Sequence, residues 1–594
     1  MPLLEGYKRS SRLLDGKLLQ YLLPSVFTGM ALSLATVVDG IIVSWLLGVK
    51  AFAAVNLCAP VVMAMNALIM LLGGGACALV GKSFGSRNLE RARGYFTLCL
   101  LLSAVLSLVA AIAGNLALDP IARSLANGEL EELIAAYLRN FLLGLPFILI
   151  PSVVALFMQT DAQPVLTAAF LMLANVVNLI LDIVFIKGCG LGIGGSSLAT
   201  VCGYITALPL LVVYARSKKR MLGFTWRELS LKKAAEIVKV GFPMALTGLL
   251  MFVKTLFLNA AAMSFFGSMG AAFMGVCLNC MSITSIFSGG IAQAMSSIVP
   301  ILFGAEDLNG LKMVARKAIR LAIAFSLLFM AVLLLFPGQA ALLFSVRDVG
   351  AATVVQWFAF SVPFVYLMTL LPVYYGSTMR AGMANLAGCL NHLSIIPFAY
   401  ALPRIWGPSA LWGGFLASSA FSIVAILLLT KVYAKRKGLS PILLLPEERG
   451  VSIDITILSN PQEAAALSER VACFLHEHGV GSRDETLVSL AVEELAMSII
   501  TYGMGEIPVS PIDVFLKRSG ASIIISMRYG GKVMNPLTYT REMQRDEIQI
   551  DSLSALQAVA KRIEYSNAMG FNTLTIERPL TASAQSLSGG WVSA

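Results

Sequence analysis

Long apolar stretches recur along the first three quarters of the chain, and short polar connections separate them. A helix that crosses a membrane needs about 20 mostly apolar residues, and twelve stretches reach this length. Their approximate limits are 18–47, 52–80, 94–118, 133–158, 164–187, 193–215, 241–265, 270–302, 313–337, 350–376, 384–406 and 409–433. The stretches are too long and too uniformly apolar for barrel strands, which alternate over about ten residues. The pattern predicts an α-helical polytopic membrane protein with twelve transmembrane helices.

The pattern of apolar and polar residues changes near Val451. The segments VSIDITILS and ASIIISMRYG alternate as strands do, and two segments between them have helical spacing. We therefore expect a cytoplasmic α+β domain of residues 441–580, followed by a tail of residues 581–594. The membrane region before it divides at the strongly basic connection near residue 220. This division predicts domains of residues 1–220 and 221–440.

Charge supports the same division. Only 13% of the 594 residues are charged, against about 25% in soluble domains, which excludes a soluble enzyme for most of the length. Residues 1–440 hold 32 Lys and Arg against 15 Asp and Glu, whereas residues 441–594 hold 12 against 18. The basic residues cluster in alternate connections. The positive-inside rule then predicts a cytoplasmic membrane protein with both termini cytoplasmic, so the basic excess requires no nucleic acid partner.

The two halves of the membrane region share a repeat. Pro24 matches Pro243 and Gly85 matches Gly304, and in both pairs the residue numbers differ by 219. Six helices separate the copies. Because six is an even number, both copies enter the membrane in the same direction, which is typical of transporters built from parallel repeats. We expect two six-helix bundles with the substrate path between them.

Acidic residues inside apolar segments are the sharpest chemical signal, because burying a carboxylate in a membrane is costly. Asp39 and Asp182 are the two that lie deep in the predicted helices. Asn178 lies four residues before Asp182 and shares its helix face. Such a cluster can take up a proton or hold a sodium ion through oxygen ligands. The alternative is a neutral aspartate that serves helix packing.

Residues 10–437 resemble the multidrug and toxic compound extrusion (MATE) family. The resemblance rests on VDGIIVSWLLG, GKSFGSRNLERAR, NVVNLILDIVFI and GLGIGGSSLATVCGY. In the prokaryotic branch of that family, a cation site in the N-terminal bundle corresponds here to Asp39, Asn178, Asp182 and Thr200. The resemblance implies alternating-access antiport of organic cations or drugs against Na⁺ or H⁺, with no enzyme activity and no cofactor beyond the coupling ion.

Two basic residues also lie within predicted helices. Lys254 lies in the middle of the seventh helix and Arg139 in the fourth. A buried lysine in the substrate cleft would suit an acidic or phosphate-bearing substrate. Pairing with a helix-end carbonyl and snorkelling toward the membrane surface are the alternatives.

The C-terminal domain resembles the histidine-kinase-type ATPase fold of anti-sigma-factor kinases, in a degenerate form. Glu494 matches that family's helical glutamate, but Ser498 replaces the magnesium-binding Asn, and Tyr529 replaces the Asp that recognises adenine. The lid segment DSLSALQAVAKRI has no glycine, although phosphate cradles need close backbone approach. We expect no ATP binding and regard a sensing or docking role, with a cytoplasmic protein partner, as an open possibility.

Two other functions are also consistent with the sequence. One is a lipid-linked oligosaccharide flippase of the same superfamily, which more cationic residues in the central cleft would favour. The other is a membrane-tethered regulator that acts through the C-terminal domain, with the transport half as a sensor.

Overall fold

The computed structural model divides the chain into two units. The described residues are 16, 18–27, 29, 42–43, 45–47, 51, 54–55, 57–125, 129–217, 220–342, 349–446, 451–504, 510–537, 552–568 and 571–580. One unit, called the membrane unit below, contains Leu18–Lys437 and Pro441–Leu444. The other, called the sheet unit, contains Met1–Lys17, Gly438–Ser440 and Leu445–Ala594.

The membrane unit consists of long apolar helices. They are α1 Leu18–Phe27, α2 Pro60–Gly85, α3 Leu89–Leu116, α4 (the pair Leu130–Leu143 and Leu145–Thr160, bent by 54°), α5 Pro164–Gly188, α6 Gly192–Arg216, α7 Leu231–Gly267, α8 Phe273–Gly304, α9 Leu308–Leu335, α10 Gly350–Ser377, α11 Ala381–Trp406 and α12 Ala410–Lys437. The helical polytopic membrane fold is thereby confirmed. Helices α2 to α12 coincide with eleven of the twelve predicted segments, and the described part of the first segment includes α1.

The bend in α4 has a local cause. The two pieces meet at Gly144, and Pro146 follows in the first turn of the second piece, where a proline ring cannot continue the preceding helix. A Cβ atom at Gly144 would lie 2.1 Å from Cγ2 of Val201 in α6. The glycine therefore lets α4 bend and approach α6 at the same point.

The repeat is visible in the helix boundaries. Helices α3 and α9 each contain 28 residues, and their first residues differ in number by 219. Asn88 and Asp307 cap them in the same way, because each side chain accepts a hydrogen bond from the backbone N–H three residues later. A short helix follows each one, Leu118–Leu125 in the first half and Pro337–Leu342 in the second. The connection before α3 and the equivalent connection before α9 therefore both end in a polar N-cap residue.

The halves touch through a reciprocal pair of glycines at the ends of α2 and α8. A Cβ atom at Gly85 would lie 1.9 Å from the carbonyl oxygen of Ile301, and one at Gly304 would lie 2.0 Å from that of Lys82. Gly304 lies 219 positions after Gly85, and Ile301 lies 219 positions after Lys82, so the repeat converts one contact into the other. Only residues without a side chain allow the two backbones to approach this closely.

The sheet unit contains one antiparallel five-stranded sheet with the order β1-β2-β3-β5-β4. Its elements are β1 Val451–Leu458, α13 Pro461–Glu477, α14 Ser482–Gly503, β2 Pro511–Ser519, β3 Ser522–Tyr529, α15 Ser552–Val559, β4 Arg562–Ala568 and β5 Phe571–Pro579. Alternate strand residues such as Ile455, Val514 and Ile525 share one buried core with Leu467 of α13 and Leu495 of α14. Although α14 is long and apolar enough to cross a membrane, its apolar face is therefore used against the sheet.

Candidate functional site

Three of the four residues predicted for the cation site lie together in the first half of the membrane unit. Asn178 and Asp182 lie on α5, and Thr200 lies on α6. The Asn178 Nδ2 atom donates to Oδ2 of Asp182 at 3.3 Å and to Oγ1 of Thr200 at 3.4 Å. Asp182 is fully buried, with 0% exposure. Asp39, the fourth residue, lies outside the described residues.

Close packing of α5 against α6 brings this cluster together. A Cβ atom at Gly203 would lie 2.4 Å from the carbonyl oxygen of Ala174 and 3.2 Å from the backbone nitrogen of Asn178. The glycine therefore holds α6 against α5 one turn from Thr200. Directly after Asp182, α5 widens into a π-helical turn over Val184–Gly188, a feature that is frequent at functional sites.

The chemistry of the cluster suits a small cation or a proton. A carboxylate, an amide and a hydroxyl offer the hard oxygen atoms that alkali and alkaline-earth ions prefer. In the arrangement observed, Asn178 presents its N–H group, which stabilises an ionised Asp182. Rotation of the amide by half a turn would present its oxygen to a cation instead.

A cavity of about 350 Å³ is lined mainly by the second half, and the first half contributes Met70, Gly74, Cys77, Leu156 and Thr160. Its wall includes side chains from α7, α8, α10 and α11, among them Met251, Lys254, Thr284, Ser288, Tyr366 and His392. Lys254 is 6% exposed and His392 is 8% exposed. Lys254, which is predicted for the substrate cleft, therefore lies buried in the wall of this cavity, and a histidine shares the cavity with it.

Neither Lys254 nor His392 has a strong partner in the described part of the chain. The Nζ atom of Lys254 has one contact there, with Sδ of Met281 at 4.0 Å, and a thioether is a weak acceptor. Both ring nitrogens of His392 lack a hydrogen-bond partner among those residues. Among those residues, no helix-end carbonyl accepts a hydrogen bond from Nζ of Lys254, and the side chain is buried.

Sequence reasoning missed His392. The chain has three histidines, and His392 is the one that lies within a predicted transmembrane segment. This position, in an apolar run, was the signal that could have identified it. Arg139, by contrast, is exposed on α4 and does not line this cavity.

A second cavity of about 450 Å³ lies between the halves. Gln159 of α4 donates to Ser25 of α1 at 3.2 Å, and its side-chain oxygen accepts from Gln293 of α8 at 3.0 Å. Gln293 lines both cavities. This polar chain links the two halves at the cavity wall and offers amide groups to a ligand.

Asp161, between α4 and α5, is a buried acid that sequence reasoning also missed. Its carboxylate accepts hydrogen bonds from the Tyr214 hydroxyl at 2.8 Å and from the backbone N–H of Met221 at 3.1 Å. Burial raises the pKa of Asp161 to about 6, although these hydrogen bonds and the charge of Arg220 act in the opposite direction. The residue fastens the segment after α6 to the membrane unit.

In the sheet unit, the three positions of the degenerate ATPase motif lie on α14 and β3. Glu494 and Ser498 lie on α14, and Tyr529 ends β3. The Tyr529 side chain is fully buried, and its hydroxyl donates to the carbonyl oxygen of Met534 at 2.5 Å. The protein's own aromatic ring is therefore buried at the position where the resemblance would require an adenine-binding aspartate.

Two proteins with curated names are similar to this chain in sequence. The multidrug export protein MepA of Staphylococcus saprophyticus is 22% identical over 449 residues, which cover 72% of this chain and 98% of MepA. The probable multidrug resistance protein YoeA of Bacillus subtilis is 26% identical over 312 residues, which cover 50% of this chain and 66% of YoeA.

A solved structure shows the same fold. It is described as the outward-facing conformation of a multidrug resistance MATE family transporter of the MOP superfamily. The TM-score is 0.67 at 23% identity, and the match covers 71% of this chain and 96% of the other. The MatE family model matches residues 24–184 and 243–400, which together are more than half of the chain. Its two matches begin 219 residues apart, and this protein belongs to the MatE family.

Proposed function

We propose that the protein is a multidrug efflux transporter that exports small organic molecules across the bacterial cytoplasmic membrane in exchange for Na⁺ or H⁺. The carrying observation is the buried cluster of Asn178, Asp182 and Thr200 on two packed helices of the first half. The names of MepA and YoeA support the drug-export part of the proposal. The basic connections support an orientation with both termini in the cytoplasm.

The mechanism is alternating access. Gly85 and Gly304 close the halves against each other at the ends of α2 and α8, and the cavities lie elsewhere along the same interface and within the second half. Cation uptake at Asp182, together with Asp39, neutralises a buried charge and changes the packing of α5 and α6. That change separates the halves at the glycine contact, and substrate binding and ion binding then alternate.

Transport by the purified full-length chain in proteoliposomes tests the proposal. Ethidium movement is followed by fluorescence under an imposed Na⁺ gradient and, separately, under an imposed pH gradient. We expect one of the two gradients to drive ethidium accumulation. The Asp182→Asn variant should lose gradient-driven movement, because an amide cannot gain and lose a charge.

The matched control is Asp119→Asn, which makes the same change at an exposed aspartate of the same half. It should transport at the wild-type rate. Wild-type transport by Asp182→Asn would remove the coupling role from the cluster. Absence of ethidium transport under both gradients would contradict multidrug efflux by this chain.

For the sheet unit we propose a docking or sensing role without nucleotide. The support is the buried Tyr529 ring and the serine at position 498, which leaves no carboxamide for magnesium. We expect that millimolar Mg-ATP does not change the thermal unfolding of the full-length chain. A saturable, magnesium-dependent increase in the unfolding temperature would contradict this expectation.

A further inference from the structure

The cavity lined mainly by the second half contains a buried lysine and a buried histidine, and no acid occurs among its described lining residues. No aspartate or glutamate occurs between Ile237 and Ala305 or between Val349 and Pro446, and these ranges include all the second-half residues that line the cavity. Lys254 and His392 are both more than nine-tenths buried. The cavity is therefore electropositive without a compensating charge from the described part of the protein.

A buried ammonium without a partner is unfavourable. Removing a charge from water costs several kcal/mol unless a counter-charge and hydrogen bonds replace the lost hydration. The Met281 thioether at 4.0 Å from Nζ supplies neither. The two imidazole nitrogens of His392 also lack hydrogen-bond partners among the described residues. Nζ of Lys254 and these two nitrogens are therefore available to bind a polar group of a ligand.

We propose that Lys254 and His392 bind the carboxylate of an amphipathic substrate inside this cavity. The Lys254 ammonium provides the counter-charge, and the His392 ring donates a second hydrogen bond to the same group. This inference rests on the proposed transport function and adds a substrate class to it, since the resemblance to the family implies organic cations.

The remainder of the cavity wall matches the rest of such a molecule. Met244, Met251 and Met281 provide adaptable apolar surface, and the Tyr366 ring lies beside them with its hydroxyl already donating to the carbonyl of Thr284 at 2.6 Å. One lysine balances one negative charge. The cavity volume of about 350 Å³ is at the small end of ligand sites, which favours a monoanion or zwitterion over a large polyanion.

Two dyes that differ in one group provide the test. Rhodamine B has a free carboxylate, and its ethyl ester keeps the same aromatic body without that charge. Binding of each dye to the purified full-length chain is measured by fluorescence anisotropy, for the wild type and for Lys254→Met. We expect Lys254→Met to weaken rhodamine B binding about tenfold or more, as loss of a charge-assisted hydrogen bond implies, and to change ester binding less than about twofold.

Three further variants complete the design. Lys187→Met makes the same substitution at an exposed lysine and should leave both affinities unchanged. Lys254→Arg keeps the charge and should restore most of the rhodamine B affinity. His392→Phe removes both ring nitrogens and should weaken rhodamine B binding by a smaller factor, about threefold to tenfold.

Equal weakening of acid and ester by Lys254→Met, or no weakening of either, would overturn the carboxylate site. Displacement of rhodamine B by farnesyl diphosphate at much lower concentration than by free carboxylates would also overturn it, in favour of a lipid-linked phosphate. These outcomes can be distinguished from failure of the proposed transport function. If the proposed function is wrong, ethidium transport is absent under both gradients, whatever the result of the dye-binding experiment.

Discussion

The two halves of the membrane unit have the same framework and opposite chemistry. In the first half, Asp182 with Asn178 and Thr200 forms an acidic cluster between α5 and α6. In the second half, Lys254 and His392 form a basic pair in a cavity. The positions do not correspond in the repeat, since residue 401, which lies 219 after Asp182, is an alanine.

The two halves also use opposite hydrogen-bonding groups to hold the segment that follows the last helix of each half. In the first half, the Asp161 carboxylate accepts from the backbone N–H of Met221. In the second half, Tyr375 and Arg380 donate to the carbonyl oxygens of Ile442 at 2.8 Å and Leu443 at 3.4 Å. The connections beside these side chains, α4–α5 and α10–α11, match in backbone geometry, because Ala162 and Met379 each have a φ near +60°.

This comparison shows which part of a repeat is constrained. Helix caps and glycine contacts set the backbone, so they persist in both copies. Side chains that face a cavity or a connecting segment do not determine the helix path. They can diverge, and one half can then carry the ion while the other contacts the substrate.

The largest expected effect separates ion coupling from substrate binding. Asp182→Asn and Asp39→Asn should each abolish gradient-driven transport. Lys254→Met should leave the ratio of transport with and without the gradient unchanged, because it removes a substrate contact and no coupling charge. The measurement is dye flux in proteoliposomes at several gradient sizes. If Lys254→Met still binds substrate but no longer responds to the gradient, Lys254 takes part in ion coupling. The assignment of ion coupling to the first half and substrate binding to the second half would then be wrong.

Substitutions at the two contact glycines should have equal effects, because the repeat makes their surroundings equivalent. Gly85→Ala and Gly304→Ala each place a Cβ atom against a backbone carbonyl, so each should lower the free energy of unfolding by about 2 kcal/mol and slow transport. Gly248→Ala is the control, since no atom lies within 4 Å of its added Cβ. Thermal unfolding in detergent measures the effect. A large loss in one variant and none in the other would show that the repeat symmetry is broken at this contact.

Asp161 should make the first half sensitive to pH. Because burial raises its pKa from 3.8 to about 6, the folded protein binds this proton more tightly than the unfolded chain. The contribution to stability is complete below about pH 4 and is lost as the pH rises through about 6, by about 3 kcal/mol in total. Unfolding temperatures of the wild type and Asp161→Asn across this range measure it. An equally steep pH dependence in Asp161→Asn would assign the titration to another group.

The equivalent connection of the second half should give the smallest effect. Tyr375→Phe removes one hydroxyl that donates to Ile442, which should cost about 1 kcal/mol without any change in slope between about pH 4 and pH 7. Tyr400→Phe, whose exposed hydroxyl makes a long 3.4 Å contact, should cost less. If Tyr375→Phe and Tyr400→Phe have the same unfolding temperature, the hydrogen bond from Tyr375 to Ile442 does not hold the segment after α12.

The amino-acid sequence determined the helices of the membrane unit and the repeat that relates them. Spans of about 20 apolar residues fold as helices in a membrane because no water satisfies their backbone groups, and this constraint is local. Asn178 and Asp182 could be paired from the sequence for the same reason, since residues four apart share a helix face. The outcome for Asp39 stays a prediction, because that residue lies outside the described part of the chain.

Only the tertiary structure decided which polar residues meet across helices. Asp161 is in a connection that looked uninformative, and its burial follows from the segment 220–222 folding over it. His392 shares a cavity with Lys254 although 138 positions separate them in the chain. Such contacts depend on the distance and rotation between packed helices. These are set by glycines such as Gly203, where a missing side chain allows two backbones to touch, and the spacing of residues along one helix does not contain that information.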